Sequence, residues 1–257
     1  MNTAGIDIGS ISTKAAIMKD GILLGTKVIF TGYNAERAGG KVLDAILDAL
    51  SMKHKSIDRI VTTGYGRKSM TTSDRAITEI TCHAVGVHYL NPVIRTIIDI
   101  GGQDSKAISV DENGAVMNFV MNDKCAAGTG RFLEVMARAL EADLDRLGEI
   151  SMLSDKPAKI SSLCTVFAES EVISLIAKGE ERKNIIAGIH DSISTRISTM
   201  MKRVGIQPPV MMTGGVAKNI GVVRALEKMI NTPIEVSQYA QENGAIGAAL
   251  LAQKIVL

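Results

Sequence analysis

An internal repeat limits the possible folds of this 257-residue chain more than any other feature. The segment Gly5–Ile17 (GIDIGSISTKAAI) returns in imperfect form at Ile98–Ile108 (IDIGGQDSKAI). The second copy is shorter, and we expect its hairpin loop to be one residue shorter than the loop of the first copy. Each copy continues into a turn and a further apolar run, so both predict strand, Gly-rich hairpin, strand, turn and strand. Helix-periodic segments follow at 35–50 and 131–140. This pattern predicts a duplicated α/β fold with a cleft between two lobes.

The boundary between the lobes is expected at Pro92–Thr96, which gives a first lobe of residues 1–95 and a second lobe of residues 96–257. The final helix, 244–255, is expected to pack back on the first lobe and complete it. Further elements expected in the second lobe are helices at 165–178 and 183–204 and a strand at 210–213.

The composition is that of a soluble globular protein. Hydrophobic residues make up 46% of the chain and charged residues 22%, with a formal net charge of +2. This balance leaves no broad basic surface for nucleic acid, and the chain has no Trp for stacking on bases. No stretch approaches the ~20 apolar residues of a membrane span, and the N-terminus does not resemble a signal peptide. Three cysteines suit a reducing compartment, so we expect a cytoplasmic protein without a nucleic-acid or membrane partner.

Both copies of the repeat carry residues suited to binding phosphate groups and their counter-ion. Small residues in the first copy let the backbone approach a ligand closely. Asp7, at the end of a strand, is suited to holding Mg²⁺ through water, and Gln103 and Asp104 in the second copy are suited to orienting water or Mg²⁺. The side chains that can donate to phosphate oxygens are those of Ser10, Ser12, Thr13 and Lys14.

A third segment, Val210–Asn219 (VMMTGGVAKN), predicts a strand, a Gly-Gly turn and a helix N-terminus suited to ribose and phosphates. A single Asp-x-Gly hairpin is more often only a hairpin, but the three segments together favour nucleotide binding. Their order resembles the two phosphate loops and the adenosine loop of the superfamily of actin, sugar kinases and 70-kDa heat-shock ATPases. The resemblance implies ATP–Mg²⁺ bound between two lobes. The short first lobe argues against a chaperone with an appended substrate domain.

Cys125 and Cys164 stand in polar or small-residue surroundings that are unlike those of a core cysteine. Each precedes a segment that we predict as the start of a helix, where backbone N–H groups favour a thiolate. Two thiolates cannot enclose a metal centre, whereas two copies of the chain would supply the four that an iron–sulfur cluster needs. Cys82 is expected to be a small core side chain. A zinc site from Cys82, His83, Cys125 and Cys164 stays open, without the usual close spacings.

The two cysteine segments resemble those of the activators of 2-hydroxyacyl-CoA dehydratases. The matching stretches are DKCAAGTGRF at 123–132, CTVFAESEVI at 164–173, TGYGR at 63–67, IDIGGQD at 98–104 and NGAIGAA at 243–249, and the resemblance covers essentially the whole chain. It implies a homodimer that shares one 4Fe-4S cluster through Cys125 and Cys164 of both subunits. It also implies ATP-driven transfer of one electron to a separate dehydratase, with reduced ferredoxin or flavodoxin as the donor. Because an exposed shared cluster is often oxygen-labile, we expect activity to be lost in air.

The same resemblance places a nucleotide against three loops. The expected binding residues are Asp7, Gly9, Ser10, Ile11, Ser12, Thr13, Lys14, Gly101, Gly102, Gln103, Asp104, Gly214, Gly215 and Gln241, the last near adenine. Gln103 and Asp104 are the candidate catalytic residues, which would position the attacking water and Mg²⁺. Two other classes stay open: a small-molecule kinase acting on a sugar or a carboxylate, and a non-catalytic actin-like assembly protein. Neither has a use for the two cysteines.

Overall fold

The computed structural model describes residues 1–161 and 164–255, and residues 162–163 and 256–257 lie outside the described part. It contains two five-stranded sheets with the same strand order and the same directions of pairing. The first sheet, in the order β3-β2-β1-β4-β5, is formed by β1 (Asn2–Ile8), β2 (Ser12–Lys19), β3 (Ile22–Phe30), β4 (Arg59–Thr63) and β5 (Arg75–Ala76). The second, in the equivalent order β8-β7-β6-β9-β10, is formed by β6 (Thr96–Ile100), β7 (Ser105–Val110), β8 (Val116–Asn122), β9 (Val210–Thr213) and β10 (Ile234–Val236). The predicted duplicated α/β fold is confirmed.

Eight α-helices occur in the described residues. They are α1 (Ala35–Ala49), α2 (Glu79–Leu90), α3 (Gly130–Ala139), α4 (Leu147–Ser151), α5 (Thr165–Ala177), α6 (Arg182–Val204), α7 (Ile220–Ile230) and α8 (Asn243–Ala252). The five helices whose limits were predicted from periodicity are confirmed to within three residues at either end. None of the helices in residues 1–161 and 164–255 is long and apolar enough to cross a membrane.

The helices cover the sheets in layers. The apolar stripe of α1 packs on one face of the first sheet, and α8 packs on the opposite face, against β1, β2 and β4. On the second sheet, α2 packs on one face and α6 on the other. Because α2 and α8 also pack against each other, they form an extensive contact between the two halves of the molecule. The division of the chain at residue 95 stays a prediction.

Glycines allow α2 and α8 to lie unusually close to each other. A Cβ at Gly247 would overlap the carbonyl oxygen of Cys82, and a Cβ at Gly86 would overlap the carbonyl oxygen of Asn243. Any larger residue at these positions would force the two backbones apart, since a backbone atom cannot rotate away as a side chain does. The small residues of α8 are therefore required by the packing between the halves.

The hairpin loops of the two copies are equal in length, so the expectation of a shorter second loop is wrong. In the first loop the Gly9 N–H donates to the Ser12 carbonyl at 3.1 Å, and in the second the Gly101 N–H donates to the Asp104 carbonyl at 3.0 Å. The two copies differ in length only beyond the hairpins, where their sequences cease to match residue for residue.

A buried histidine in α6 makes stability depend on pH. His190 is 1% exposed, and its Nδ1 lies 3.0 Å from Ser151 Oγ. Burial lowers the pKa of His190 from 6.5 to about 4. Between pH 6.5 and about 4 the unfolded chain therefore binds a proton that the folded chain does not bind. The free energy of unfolding decreases as the pH falls through this range, by about 3 kcal/mol for the whole pKa shift.

His190→Gln is thus expected to flatten this part of the stability profile. The measurement is the free energy of unfolding in urea at several pH values between about 7 and 4, with the slope rather than the absolute stability as the readout. His54→Gln is the control because His54 lies on the surface, with its side chain 65% exposed. An unchanged slope in His190→Gln would show that this histidine does not carry the effect.

Candidate nucleotide site and the surface cysteines

A cavity of about 880 Å³ lies between the β1–β2 hairpin, the β6–β7 hairpin and the turn that follows β9. This volume is ample for a nucleotide-sized ligand. Every residue expected to bind nucleotide lines the cavity except Thr13. The structure therefore brings together three loops that are far apart in the sequence.

Thr13 faces the other way. It is fully buried, and its Oγ1 lies 2.8 Å from Thr31 Oγ1. Side chains alternate between the faces of a strand, so Thr13 points away from the side on which Ser12 and Lys14 line the cavity. The expectation that the Thr13 hydroxyl donates to a phosphate is wrong.

The two hairpin loops meet at Gly102. A Cβ at this position would lie 2.6 Å from Ile11 Cδ1 and 3.1 Å from Ser10 Oγ, so a larger residue would have to displace these side chains of the first loop. The contact closes the cavity between the β1–β2 and β6–β7 hairpins. It also means that movement of one half of the molecule against the other would act directly on both loops.

Each copy of the repeat places an aspartate opposite a lysine at the floor of the cavity. Asp7 is paired with Lys14 in the register of β1 and β2, and Asp99 is paired with Lys106 in the register of β6 and β7. The Nζ–Oδ2 distances are 3.1 Å and 3.0 Å respectively. All four side chains are almost entirely buried, so the duplication extends from the fold to the chemistry of the site.

Lys106 is the centre of a buried charge cluster that the sequence analysis missed. In addition to Asp99, its Nζ lies 2.6 Å from Glu79 Oε2 and 2.9 Å from Asp104 Oδ2. Burial opposes a charge on Lys106, but these carboxylates raise its pKa well above the usual value. The equivalence of Lys106 and Lys14 in the repeat was a signal that could have identified it. No sequence signal connects Glu79, at the start of α2, to this cluster.

Asp99 and Asp104 both contact Lys106, but their pKa values are shifted in opposite directions. Burial would raise the pKa of Asp99, but His83 and Lys106 hold it well below its usual range. Burial raises the pKa of Asp104 to about 6, and the charges of Glu79 and Asp99 add to this rise against the opposing effect of Lys106. One ammonium group surrounded by three carboxylates thus leaves Asp104 as the carboxylate that most readily takes a proton.

His83 has polar partners on both ring nitrogens and is not free to bind a metal. Its Nδ1 lies 3.1 Å from both Thr213 Oγ1 and Asn243 Nδ2, and its Nε2 lies 3.6 Å from Asp99 Oδ1. The neighbouring Cys82 is fully buried, and burial raises the pKa of its thiol to about 12. Cys82 is therefore confirmed as a core side chain, and the zinc interpretation, which needed both residues, is wrong.

The third loop is tied to the first loop through Gln241. The Gln241 Oε1 accepts a hydrogen bond from Lys218 Nζ at 2.5 Å, and its Nε2 donates to Ser12 Oγ at 3.3 Å. Gly214, with a φ of +87°, allows the turn after β9 to pass against the second loop, where a Cβ would overlap the Ile100 carbonyl. The helix N-terminus predicted after the Gly-Gly pair is a short 3₁₀ turn at 215–218, and α7 begins only at Ile220.

The two cysteines outside the core differ in their relation to the helices that follow them. Cys164 is the N-cap residue of α5 and is exposed, as predicted for the start of a helix. Cys125 is half-buried and lies five residues before α3, separated from it by a turn that contains Gly128 with a φ of +86°. The expectation that Cys125 directly precedes a helix is therefore wrong. The helices that follow the two cysteines, α3 and α5, pack together.

Two halves of equal topology, with paired glycine hairpins facing each other across a cavity, make up a fold of the actin and sugar kinase type. A ROK family glucokinase from Streptomyces griseus matches 99% of this chain and 100% of its own with a TM-score of 0.61 and 14% identity, a likeness of fold alone. The model of the BadF/BadG/BcrA/BcrD ATPase family matches residues 4–252, and the chain belongs to this family of ATPases.

Several characterised relatives are similar over their whole length. The 2-hydroxyisocaproyl-CoA dehydratase activator of Clostridioides difficile is 48% identical over 98% of this chain and 95% of its own. Component A of the (R)-2-hydroxyglutaryl-CoA dehydratase of Acidaminococcus fermentans has a TM-score of 0.96 and 46% identity, covering 99% and 98% of the two chains. The 2-hydroxyisocaproyl-CoA dehydratase activator of Clostridium difficile with bound ADPNP has a TM-score of 0.94 and 47% identity, covering 99% and 95%.

Proposed function

We propose that this protein is an ATP-dependent activator that delivers one electron to a 2-hydroxyacyl-CoA dehydratase. The observation that carries the proposal is the similarity to named dehydratase activators at 48% identity over 98% of the chain. The family match, at residues 4–252, spans both cysteine segments and all three loops of the cavity. The sugar and carboxylate kinase alternative is not favoured, since the similarity to sugar kinases is one of fold alone.

In this proposal the nucleotide occupies the cavity between the two hairpins. The Ser10–Lys14 loop and the Gly101–Asp104 loop would bind its phosphates, and Gly214, Gly215 and Gln241 would lie near its adenosine part. Gln103 and Asp104 would position the attacking water and the metal ion. At the floor of the cavity there are two more negative than positive charges, a balance that suits Mg²⁺, from Asp7, Glu79, Asp99 and Asp104 against Lys14 and Lys106.

The two accessible thiols fit a 4Fe-4S cluster shared between two copies of the chain. Both Cys125 and Cys164 are free thiols: Cys164 is exposed, and Cys125 is half-buried at the edge of the core of the second half. Within residues 1–161 and 164–255 no three His, Cys, Asp or Glu side chains are grouped to hold a metal. Two thiolates from each of two subunits would complete the four ligands. When bound, the cluster would supply the one-electron redox chemistry.

The surface near the cysteines supports contact with other protein chains. The exposed face of α5 carries large apolar side chains, and exposed apolar side chains also occur on β8, the strand that leads to Cys125. These side chains are Val166, Phe167, Ile173 and Ile176 on α5, and Met117 and Phe119 on β8. Exposed apolar surface of this kind is typical of interaction sites. In this proposal the surface would contact the second subunit and the dehydratase. A reduced ferredoxin or flavodoxin would be the electron donor.

Anaerobic purification tests this proposal directly. The expected product is a brown homodimer with about four iron atoms and four sulfides per two chains. After reduction, it should transfer electrons to a 2-hydroxyacyl-CoA dehydratase only with hydrolysable ATP, and exposure to air should abolish the transfer. A colourless, iron-free protein from iron-replete cells would overturn the redox function, and ATP-dependent phosphorylation of a sugar or a carboxylate would establish the kinase instead.

A further inference from the structure

The segment that carries Cys125 is bonded directly to the second phosphate loop. The N–H of Gly130 donates to the Gly101 carbonyl at 2.8 Å, and the N–H of Arg131 donates to the Gly102 carbonyl at 2.8 Å. These two amides belong to the first turn of α3 and have no acceptor within their own helix. The phosphate loop therefore caps the helix that follows Cys125.

Gly130 is also the point at which two of the cavity loops converge. A Cβ at Gly130 would lie 3.2 Å from the Gly101 carbonyl oxygen, 3.4 Å from Gly102 Cα and 3.5 Å from Val216 Cγ2. Gly101 and Gly102 belong to the second loop, and Val216 belongs to the turn after β9. A shift of either loop would be transmitted to the start of α3 by direct contact.

Both ends of the Cys125 segment line the cavity. Asp123 and Lys124 precede the cysteine, and Gly130, Leu133 and Glu134 follow it, and all five belong to the cavity wall. Cys125 itself does not line the cavity. A cysteine held between two stretches of cavity wall must follow when that wall moves.

The turn between these stretches is too well anchored to absorb such a movement. Asn122 Nδ2 donates to the Cys125 carbonyl at 2.8 Å, which fixes the turn to the end of β8. Thr129 closes the other side, since its Oγ1 donates to the Ala126 carbonyl at 2.6 Å. Displacement of the cavity wall would therefore move Cys125 rather than be lost in a loose loop.

Cys164 has no comparable connection. Among the described residues, none from 146 to 213 lines the cavity, and this stretch includes the whole of α5. α5 is connected to the rest of the second half through its packing against α3 and, to a smaller extent, α6. Any signal from the cavity would reach Cys164 after passing through side-chain contacts.

We propose that the nucleotide state reaches Cys125 directly, through the bonds of Gly130 and Arg131 to the second loop, and reaches Cys164 only indirectly. The inference deepens the proposed function, because it assigns unequal roles to the two cluster cysteines of each subunit. Gly130 is a positioning residue in this assignment, since it acts through Cys125 and touches no reacting atom.

The experiment measures the alkylation rate of each cysteine in the full-length, cluster-free chain. Cys164→Ser leaves Cys125 as the accessible thiol and Cys125→Ser leaves Cys164, because Cys82 is fully buried in both. Rates are determined by mass spectrometry with ADP and with a non-hydrolysable ATP analogue, each at saturation. The Cys125 rate is expected to differ by about fivefold or more between the two nucleotides, and the Cys164 rate by less than about twofold. Equal responses, a larger response at Cys164, or no response at either thiol would overturn the inference.

Gly130→Ala tests the connection itself. In the Cys164→Ser background it should reduce the nucleotide response of Cys125 to about twofold or less, because the new methyl group would lie 3.2 Å from the Gly101 carbonyl oxygen and crowd the bonded contact between α3 and the second loop. Gly40→Ala is the matched control, since a Cβ at Gly40 of α1 would meet nothing within 4 Å, and it should leave the response intact. A full response in Gly130→Ala would contradict the proposal.

Asn122→Ala provides a second route to the same test should Gly130→Ala fail to fold. It removes the anchor of the Cys125 turn without touching the cavity, so the response should again decrease. The comparison of the two cysteines decides the inference even without either variant. None of these measurements requires iron. A negative result for the alkylation rates would therefore not contradict the proposed function, and a negative result in the electron-transfer test would not change the alkylation rates.

Discussion

Replacing Cys125 by serine is expected to abolish the iron–sulfur cluster and all ATP-dependent electron transfer, while nucleotide binding is retained. A serine hydroxyl stays protonated at neutral pH and does not replace a thiolate on iron. Because both subunits carry the substitution, two of four ligands are lost at once. The side chain does not line the cavity, so the affinity for ATP should change by no more than about twofold. Iron analysis, the visible spectrum and nucleotide titration of the anaerobically purified variant measure these effects.

Cys82→Ala is the matched control for this substitution. It removes the third thiol of the chain, but this thiol is fully buried and packs with Val61, Ala248 and Ala252. The variant should keep its iron and its electron transfer and lose only some stability. If Cys125→Ser retained a full complement of iron, Cys125 would not be a cluster ligand.

Lys106→Met is expected to destabilise the protein by about 3–5 kcal/mol, because it leaves the buried Asp99, Glu79 and Asp104 without their common cation. For a chain of this length the melting temperature should fall by about 10 °C. Because Lys106 lowers the pKa of Asp104, which is about 6 in the original chain, its loss raises that pKa further, and the penalty should shrink as the pH falls towards about 6 and change little below it. Thermal and urea unfolding of the cluster-free protein at about pH 8 and about pH 5 measure both effects.

Two further variants separate loss of the charge from loss of a long side chain. Lys124→Met is the control, since the Lys124 side chain is 88% exposed and forms an ion pair with its neighbour Asp123, and it should cost less than about 0.5 kcal/mol. Lys106→Met combined with Glu79→Gln should recover part of the loss, because fewer uncompensated charges remain. A stability of Lys106→Met within about 1 kcal/mol of the original chain would show that the cluster does not depend on its lysine.

The parts of the fold that were predictable are those in which the sequence repeats itself. The Asp-Ile-Gly motif at Asp7 and at Asp99 identified both hairpins, and the strand pattern after each copy predicted two equivalent sheets. Residue-level errors arose where one register or one turn decides the outcome. The alternation of side chains along β2 would have predicted that Thr13 faces away from Ser12 and Lys14.

Other features of the site could not be derived from sequence because they depend on contacts between distant elements. Glu79 reaches Lys106 only because α2 lies against the second sheet, and His83 meets Asn243 only because α8 returns to it. Neither residue belongs to a recognisable motif. Their positions follow from tertiary packing, which local pattern and propensity do not determine.

The position of α8 has a consequence for how the molecule is made. Its residues cover a sheet built from the first strands of the chain, and the Thr3 hydroxyl donates to the Ala249 carbonyl at 2.8 Å. On a ribosome, synthesis of the intervening residues takes on the order of ten seconds or longer. During that interval the apolar face of β1, β2 and β4 has no partner from its own chain. The part of the molecule that is synthesised first is thus among the last to be completed, and until then it exposes apolar surface of the kind that is prone to aggregate.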